Sequence, residues 1–182
     1  VALYVTLRSH EPVPTIRFKK LNLQNHNFQE LYNTYCYWNE KKAQAGSVAP
    51  SWSDVNLLDL PSELLPKLCV VDVSGDRPDF TYRYWGTALT GMHHYDLSGK
   101  SVLKLTPSDY AECVWEQYNE VYTTAEPHTY LTEIPLESGF FSFYVATRMP
   151  LSSDGETIDK ILVAEEYGQT RDELKTLFNE LP

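Results

Sequence analysis

Two imidazoles and a carboxylate fall within four positions at His93, His94 and Asp96, the densest cluster of reactive side chains in the chain. Such a set could serve as a general acid and base or contribute metal ligands. Neighbouring residues on a helix point about 100° apart, so His93 and His94 chelate one ion poorly unless the backbone is irregular there. The preferred reading is a surface or hydrogen-bonded pair, with no metal site and no catalytic residue. The alternative is a small α+β cavity enzyme of hydrolase or isomerase type, using His93 or His94 with Asp96.

Arg83 and Arg148 lie in the middle of strand-like segments, where a charged side chain needs a reason. Each either sits on an exposed sheet face or pairs with Glu133, Glu165 or Asp72. Otherwise, one of them reaches a carboxylate or phosphate on a bound ligand, which suits a guanidinium fork. Tyr82, Tyr84, Tyr118, Tyr130, Phe141 and Phe143 read first as core. With Leu89 and Met92 they would instead line an apolar pocket whose phenol hydroxyls supply polar handles.

The elements that must position these residues follow from hydrophobic period and turn chemistry. Phe28, Leu31, Tyr32, Tyr35 and Trp38 share one helical face, and Gly46 stands where that helix would end. The face must cover either the chain's own sheet or the same helix of a second copy. Leu68 to Val73 is an apolar run of strand length, and Phe80, Tyr82 and Tyr84 alternate with Thr81, Arg83 and Trp85 after a turn-rich stretch. Gly86 ends that strand and precedes a short helix with Leu89 and Met92. Thr106-Pro107-Ser108-Asp109 predicts a capped helix out to about Thr124. Three strands follow, His128 to Leu136, Phe140 to Leu151 and Ile158 to Tyr167, with short glycine-bearing links that suit antiparallel neighbours. Thr170-Arg171-Asp172-Glu173 is a capping box for a terminal helix. Upstream, Tyr4 to Leu7 and Thr15 to Phe18 could be short strands, but Pro12 and Pro14 interrupt them, and the segment reads as an extension. Ser53 or Asp54 could cap a short helix through Leu58.

From Leu64 to Tyr167 this order resembles that of a PAS domain. The nearest resemblance is to a family of small bacterial proteins built around one such domain. It rests on Leu65-Pro66-Lys67-Leu68-Cys69-Val70-Val71-Asp72-Val73, on Tyr82-Arg83-Tyr84-Trp85-Gly86-Thr87 with Asp96-Leu97-Ser98-Gly99-Lys100, and on Arg148-Met149-Pro150-Leu151 ahead of Asp154-Gly155. The resemblance implies an α+β fold: a five-stranded antiparallel sheet with short helices and one longer helix on one face, plus N-terminal and C-terminal helices. The expected division is an extension with an amphipathic helix over 1–60, the PAS-like domain over 61–168, and a C-terminal helix over 169–182. The implied role is a sensory or regulatory module that binds a small molecule or a signalling protein and has no catalysis of its own. A ligand-free structural adaptor is a further alternative. Haem-binding PAS domains take an axial His from the long helix, and Ser108 to Thr124 contains none. Flavin photosensors of this fold use a Cys in an Asn-Cys-Arg motif, whereas Cys113 sits in Ala111-Glu112-Cys113-Val114-Trp115. No cofactor is therefore expected.

Composition narrows the partners. The 182 residues, 42% of them hydrophobic, suffice for one good core. A formal charge of −10 disfavours nucleic acid and anionic membrane surfaces. Three widely spaced cysteines, Cys36, Cys69 and Cys113, fit reduced core thiols in a cytoplasmic protein. A homodimer through the helix at 28–45 is expected from its aromatic stripe. The purified protein should be colourless; an absorbance spectrum with a Soret band or flavin maxima would overturn the reading of the long helix.

Overall fold

The computed structural model describes residues 16–75, 78–135, 141–166 and 170–182. The candidate strand at Tyr4 to Leu7, part of the turn before Phe80, and the Glu137-Ser138-Gly139 link lie outside the described residues. Among the described residues six strands form one antiparallel sheet: β1 (Arg17–Leu21), β2 (Leu68–Ser74), β3 (Asp79–Trp85), β4 (His128–Pro135), β5 (Phe141–Leu151) and β6 (Lys160–Glu166). Their spatial order is β1-β4-β5-β6-β2-β3. Four α-helices join them among the described residues: α1 (Gln29–Ala45), α2 (Thr87–His93), α3 (Ser108–Thr124) and α4 (Arg171–Glu180). Strands β2 to β6 with α2 and α3 between them make the PAS-type α+β fold that the sequence resembles.

The sheet has one strand more than the expected five. β1 pairs antiparallel with β4 from Arg17 opposite Glu133 to Leu21 opposite Thr129. Its residues hold that register well. Arg17 pairs with Glu133 and Phe18 meets Tyr130 edge to face at 5.5 Å. Both prolines of the upstream segment precede the strand, so they leave its ladder intact.

The long central strand β5 shows how the sheet is covered on both sides. Tyr144 and Arg148 face α3, where they reach Tyr110 and Gln117. Phe143 faces the opposite side and packs on Phe178 of α4 at 5.9 Å. Successive strand residues point to opposite faces, so the even positions of β5 line an inner layer under α3 and the odd positions an outer layer. A sheet buried on both sides needs continuous apolar runs, and Ile161-Leu162-Val163-Ala164 of β6 is buried throughout.

α1 belongs to the outer layer. It packs on β5 and β6, burying Leu31, Thr34 and Trp38. The Trp38 indole, 1% exposed, donates to the Pro150 carbonyl at 2.7 Å. Gly46 then ends the helix in the left-handed region, φ +62°, returning its N–H to the Lys42 carbonyl. The stripe from which a dimer was expected is thus spent on the chain's own sheet. With Leu31 and Trp38 buried, residues 28–45 keep only half-buried Tyr32, Tyr35 and Tyr37 from the aromatic set at the surface. This removes the basis for a homodimer through that helix.

Other departures are local. Residues 52–54 and 57–59 form separate 3₁₀ turns rather than one helix, and Ser51, not Ser53 or Asp54, caps the first. α3 starts at Ser108, because Thr106 is engaged with the Tyr95 hydroxyl at 3.1 Å and does not cap it. At Gly86 an added Cβ would lie 2.2 Å from the Pro66 carbonyl oxygen. Only glycine allows β3 to turn there into α2 against the 65–67 segment. The Thr170–Glu173 capping box forms as the sequence predicts.

The buried Trp38 gives a direct test of this arrangement. Trp38→Ala should destabilise the fold by about 3–5 kcal/mol in urea denaturation. An unchanged midpoint with a halved mass by light scattering would restore the dimer.

Candidate functional site

The inner layer lies between α3 and the faces of β2 to β6 that α3 covers. From α3 it receives Tyr110, Cys113, Val114, Gln117, Tyr118 and Val121, all buried. Three-to-four-residue spacing puts them on one helical side. The sheet supplies Cys69, Phe80, Tyr82, Trp85, Tyr130, Thr132, Tyr144, Arg148 and Glu165, also buried. This interior is unusual in its polar content.

Arg148 is its centre. The guanidinium is 1% exposed and stands over the Tyr118 ring, with Cζ 4.4 Å from the centroid, and 5.8 Å from the centroid of Tyr130. Its Nε and Nη2 donate to Gln117 Oε1 at 3.2 and 2.5 Å. Gln117 in turn donates through Nε2 to the Thr132 hydroxyl at 3.1 Å and to Cys113 Sγ at 3.7 Å. The Tyr110 hydroxyl donates to that of Tyr144 at 3.1 Å, and Tyr130 donates to the Gln117 carbonyl and to Glu120 Oε2 at 3.3 and 2.8 Å. Nearly every polar atom has a partner. The exceptions among the described residues are Arg148 Nη1 and Trp85 Nε1, which find no acceptor.

Burial also sets the charge states. It pushes the Glu165 carboxyl up to about 7, a rise that the nearby Arg148 cation only partly offsets. Burial opposes the Arg148 charge too, but the surrounding phenols and Glu165 outweigh it and hold the group cationic. Cys113 is pushed up to about 11, chiefly by burial, and Cys69 is raised still further. Both remain neutral thiols, whereas Cys36 is exposed on α1. His93 turns inward against Trp85 at 5.3 Å and Tyr110 at 5.9 Å. Burial, then repulsion from His94, lowers it to about 4.

The structure separates the sequence-selected residues into two groups. Tyr82, Leu89, Tyr118, Tyr130 and Arg148 are buried. Tyr82, Tyr118, Tyr130 and Arg148 meet in the inner layer through ring contacts. Leu89 belongs to α2, the short helix that follows β3. Tyr84 points the other way and donates to the Leu65 carbonyl at 2.9 Å. Arg83 is an exposed partner of Asp72 at 2.7 Å, and Phe143 lies in the outer layer with Phe178. Met92 is 46% exposed. The Phe141 side chain lies outside the described residues.

The His93, His94 and Asp96 cluster does not assemble. His93 is half-buried among rings, His94 occupies the left-handed position that ends α2, and the Asp96 carboxylate accepts from the Ser98 N–H at 2.7 Å. Among the described residues no hydrogen bond joins the three, and no set of three or more His, Cys, Asp or Glu could hold a metal. The enzyme alternative therefore lacks the proton-transfer geometry on which it was based.

Gln117 and Glu165 are the inner-layer residues that the pattern reading undervalued. Gln117 falls on the apolar stripe of α3, and a polar residue at such a position signals a buried hydrogen-bond obligation. The space that was expected to form a cavity is filled. Phe80 touches Tyr118 at 5.3 Å, and Tyr82 touches Trp85 at 4.7 Å. Open depressions lie elsewhere, one of about 490 Å³ beside Lys20, Tyr35 and His128 and one of about 670 Å³ beside Tyr95, Lys100 and Lys104.

No protein-family profile and no curated protein matches the sequence. Solved structures similar to the chain include the dark structure of the blue-light photoreceptor Aureochrome1 LOV, with a TM-score of 0.49 and 15% identity over 69% of this chain and 91% of that one. The Rhodobacter sphaeroides LOV protein gives 0.44 and 11%, over 60% of this chain and 64% of that one. An RNA-binding Light-Oxygen-Voltage receptor gives 0.47 and 13%, over 62% of this chain and 32% of that one. The matched part thus spans about a third of that receptor. LOV domains belong to the PAS superfamily.

Glu165 makes the inner layer sensitive to pH. Its carboxyl binds a proton more tightly folded than unfolded, so between pH 4.5 and about 7 its contribution to stability falls as pH rises. His93 has the opposite sign, because its lowered pKa makes stability rise with pH between about 4 and 6.5. The two partly cancel in the native chain. Comparing Glu165→Gln with the unmodified protein isolates the carboxyl, and the variant should gain about 3 kcal/mol relative to it from pH 4.5 to 7.5. Parallel urea-denaturation profiles across that range would refute the assignment.

Proposed function

We propose that the protein is a sensory or regulatory PAS-type module that binds a small molecule in the inner layer and has no catalytic activity of its own. The observation that supports this is a fully buried guanidinium with one amino group, Nη1, left without an acceptor, in a layer rich in hydroxyls. A purely structural core would be filled more cheaply by alkyl side chains. The sensing unit is residues 61–168. Segments 1–60 and 169–182 serve as transmission elements, since α1 and α4 lie on the outer face of the strands whose inner face carries Arg148. The buried free thiols of Cys69 and Cys113 suit a reducing cytoplasm. No described helix is long and apolar enough to cross a membrane.

A second reading is favoured by a different observation. The rings of the inner layer touch one another, which suits an adaptor that recognises a partner protein and holds no ligand. Native mass spectrometry of the protein purified without denaturation, with a thermal-shift screen of organic acids, nucleotides and aromatic metabolites, separates the two. A ligand at about a hundred times its dissociation constant stabilises the native state by roughly 2.7 kcal/mol and should raise the melting point by about 5–11 °C. Tyr118→Trp should abolish the response. No adduct and no shift would leave the adaptor.

A further inference from the structure

The two buried donors without acceptors belong to one layer of side chains. Trp85 meets Tyr82 at 4.7 Å, Tyr82 meets Tyr118 at 6.5 Å, and the Arg148 guanidinium stands 4.4 Å over Tyr118. We propose, on the basis of the small-molecule reading above, that this layer takes a small organic monocarboxylate with an aromatic or apolar body. Arg148 Nη1 holds one carboxylate oxygen, and Trp85 Nε1 donates to a second acceptor on the ligand.

The chemistry of the donors selects this class. Nε and Nη2 of Arg148 are already committed to Gln117, so the guanidinium has a single free edge to offer. A charged donor binds a charged acceptor more strongly than a neutral carbonyl, and a guanidinium stays charged even when buried. The faces of Tyr82, Tyr118 and Trp85 suit a flat apolar body. A phosphate or dicarboxylate fits less well. Glu165 occupies the same layer and adds its own negative charge when ionised. None of the Lys side chains is among the buried residues that could offset a second anionic charge. Because the layer is filled, the ligand must displace side chains. α2 is the element placed to yield, a short helix with Met92 at the surface, His93 set between Trp85 and Tyr110, and Leu89 as its one buried residue.

The test uses the full chain with benzoate, benzamide and inorganic phosphate as probes, read by thermal shift and by titration calorimetry. Benzoate should raise the melting point by several degrees, whereas benzamide and phosphate should not. Arg148→Met should abolish the benzoate response, and Trp85→Phe, which keeps a ring and removes the N–H, should weaken binding about tenfold. Should Arg148→Met fail to fold by circular dichroism, Trp85→Phe decides, and unchanged benzoate affinity in it overturns the proposal. Equal responses to benzamide and benzoate also overturn it while leaving a small-molecule site in place. If no probe shifts the unmodified protein, water satisfies the two donors and the carboxylate assignment fails. The small-molecule reading then stands or falls separately, on whether native mass spectrometry shows a bound species.

Discussion

A permanent positive charge in a dry interior is the constraint around which this fold is arranged. Removing a guanidinium from water costs several kcal/mol even after the protein relaxes, so its surroundings must return most of that. Gln117 does so with one oxygen that receives two N–H groups, and Tyr118 offers the face of its ring. The same amide donates to Thr132 on the neighbouring strand. Gln117 therefore locks α3 to β4 and β5 in one register, because a shift of the helix by one residue would strand the charge. Apolar packing alone tolerates small slides and rotations of a helix over a sheet. A hydrogen-bonded amide between two partners does not.

The alternation of β5 links that inner constraint to the outer face. Arg148 reaches inward, and two residues later the Pro150 carbonyl receives the Trp38 indole from α1. Phe143, near the other end of the strand, holds α4 through Phe178. One strand thus carries the buried cation and both outer helices. A displacement of β5 would reach α1 and α4 without crossing a loop, because both pack on that strand. Their contacts with the sheet are mostly side-chain packing, with the Trp38 indole bond on α1 and a Lys19 bond to the Leu181 carbonyl at the end of α4. Such contacts can be repositioned at lower cost than a strand pairing.

Much of this architecture was legible in the chain because local signals and tertiary demands agree. The α1 stripe, the Thr170 capping box, Gly46 and the alternation of Phe80, Tyr82 and Tyr84 each name an element from nearby residues. β1 was harder, since five residues with two lysines, Arg17 to Leu21, become a strand only through pairing with β4 more than a hundred positions away. The inner site was legible in part for the same reason. Arg148 was suspect as a charge within a strand, but Arg83 carried the same signal and lies on the exposed side with Asp72. Pattern alone does not say which face of a strand is covered twice. Tyr84 and Tyr82 differ likewise: a register irregularity between Val70 and Val71 sets Tyr82 opposite Val71 and Tyr84 opposite Val70. Leu31 and Trp38 showed an apolar face correctly, yet their period could not say whether a second copy or the chain's own sheet covers it.

The distribution of hydroxyls in the inner layer bears on why the charge is retained. Tyr82, Tyr110, Tyr118, Tyr130 and Tyr144 could each be phenylalanine if the layer only filled volume, and that exchange would remove buried polar atoms that must be satisfied. Two of them, Tyr110 and Tyr144, satisfy each other, and Tyr130 is anchored to α3. The Tyr118 hydroxyl lies 3.8 Å from the Cys69 sulfur and beside the hydroxyl of Tyr82. Its ring lies beneath the guanidinium and packs against Phe80 and Tyr82 as well. Packing of that kind fixes the ring, and the position of the guanidinium with it. The unpaired donors of Arg148 and Trp85 therefore lie in a closed layer, and reaching them requires the packed rings around Tyr118 to rearrange.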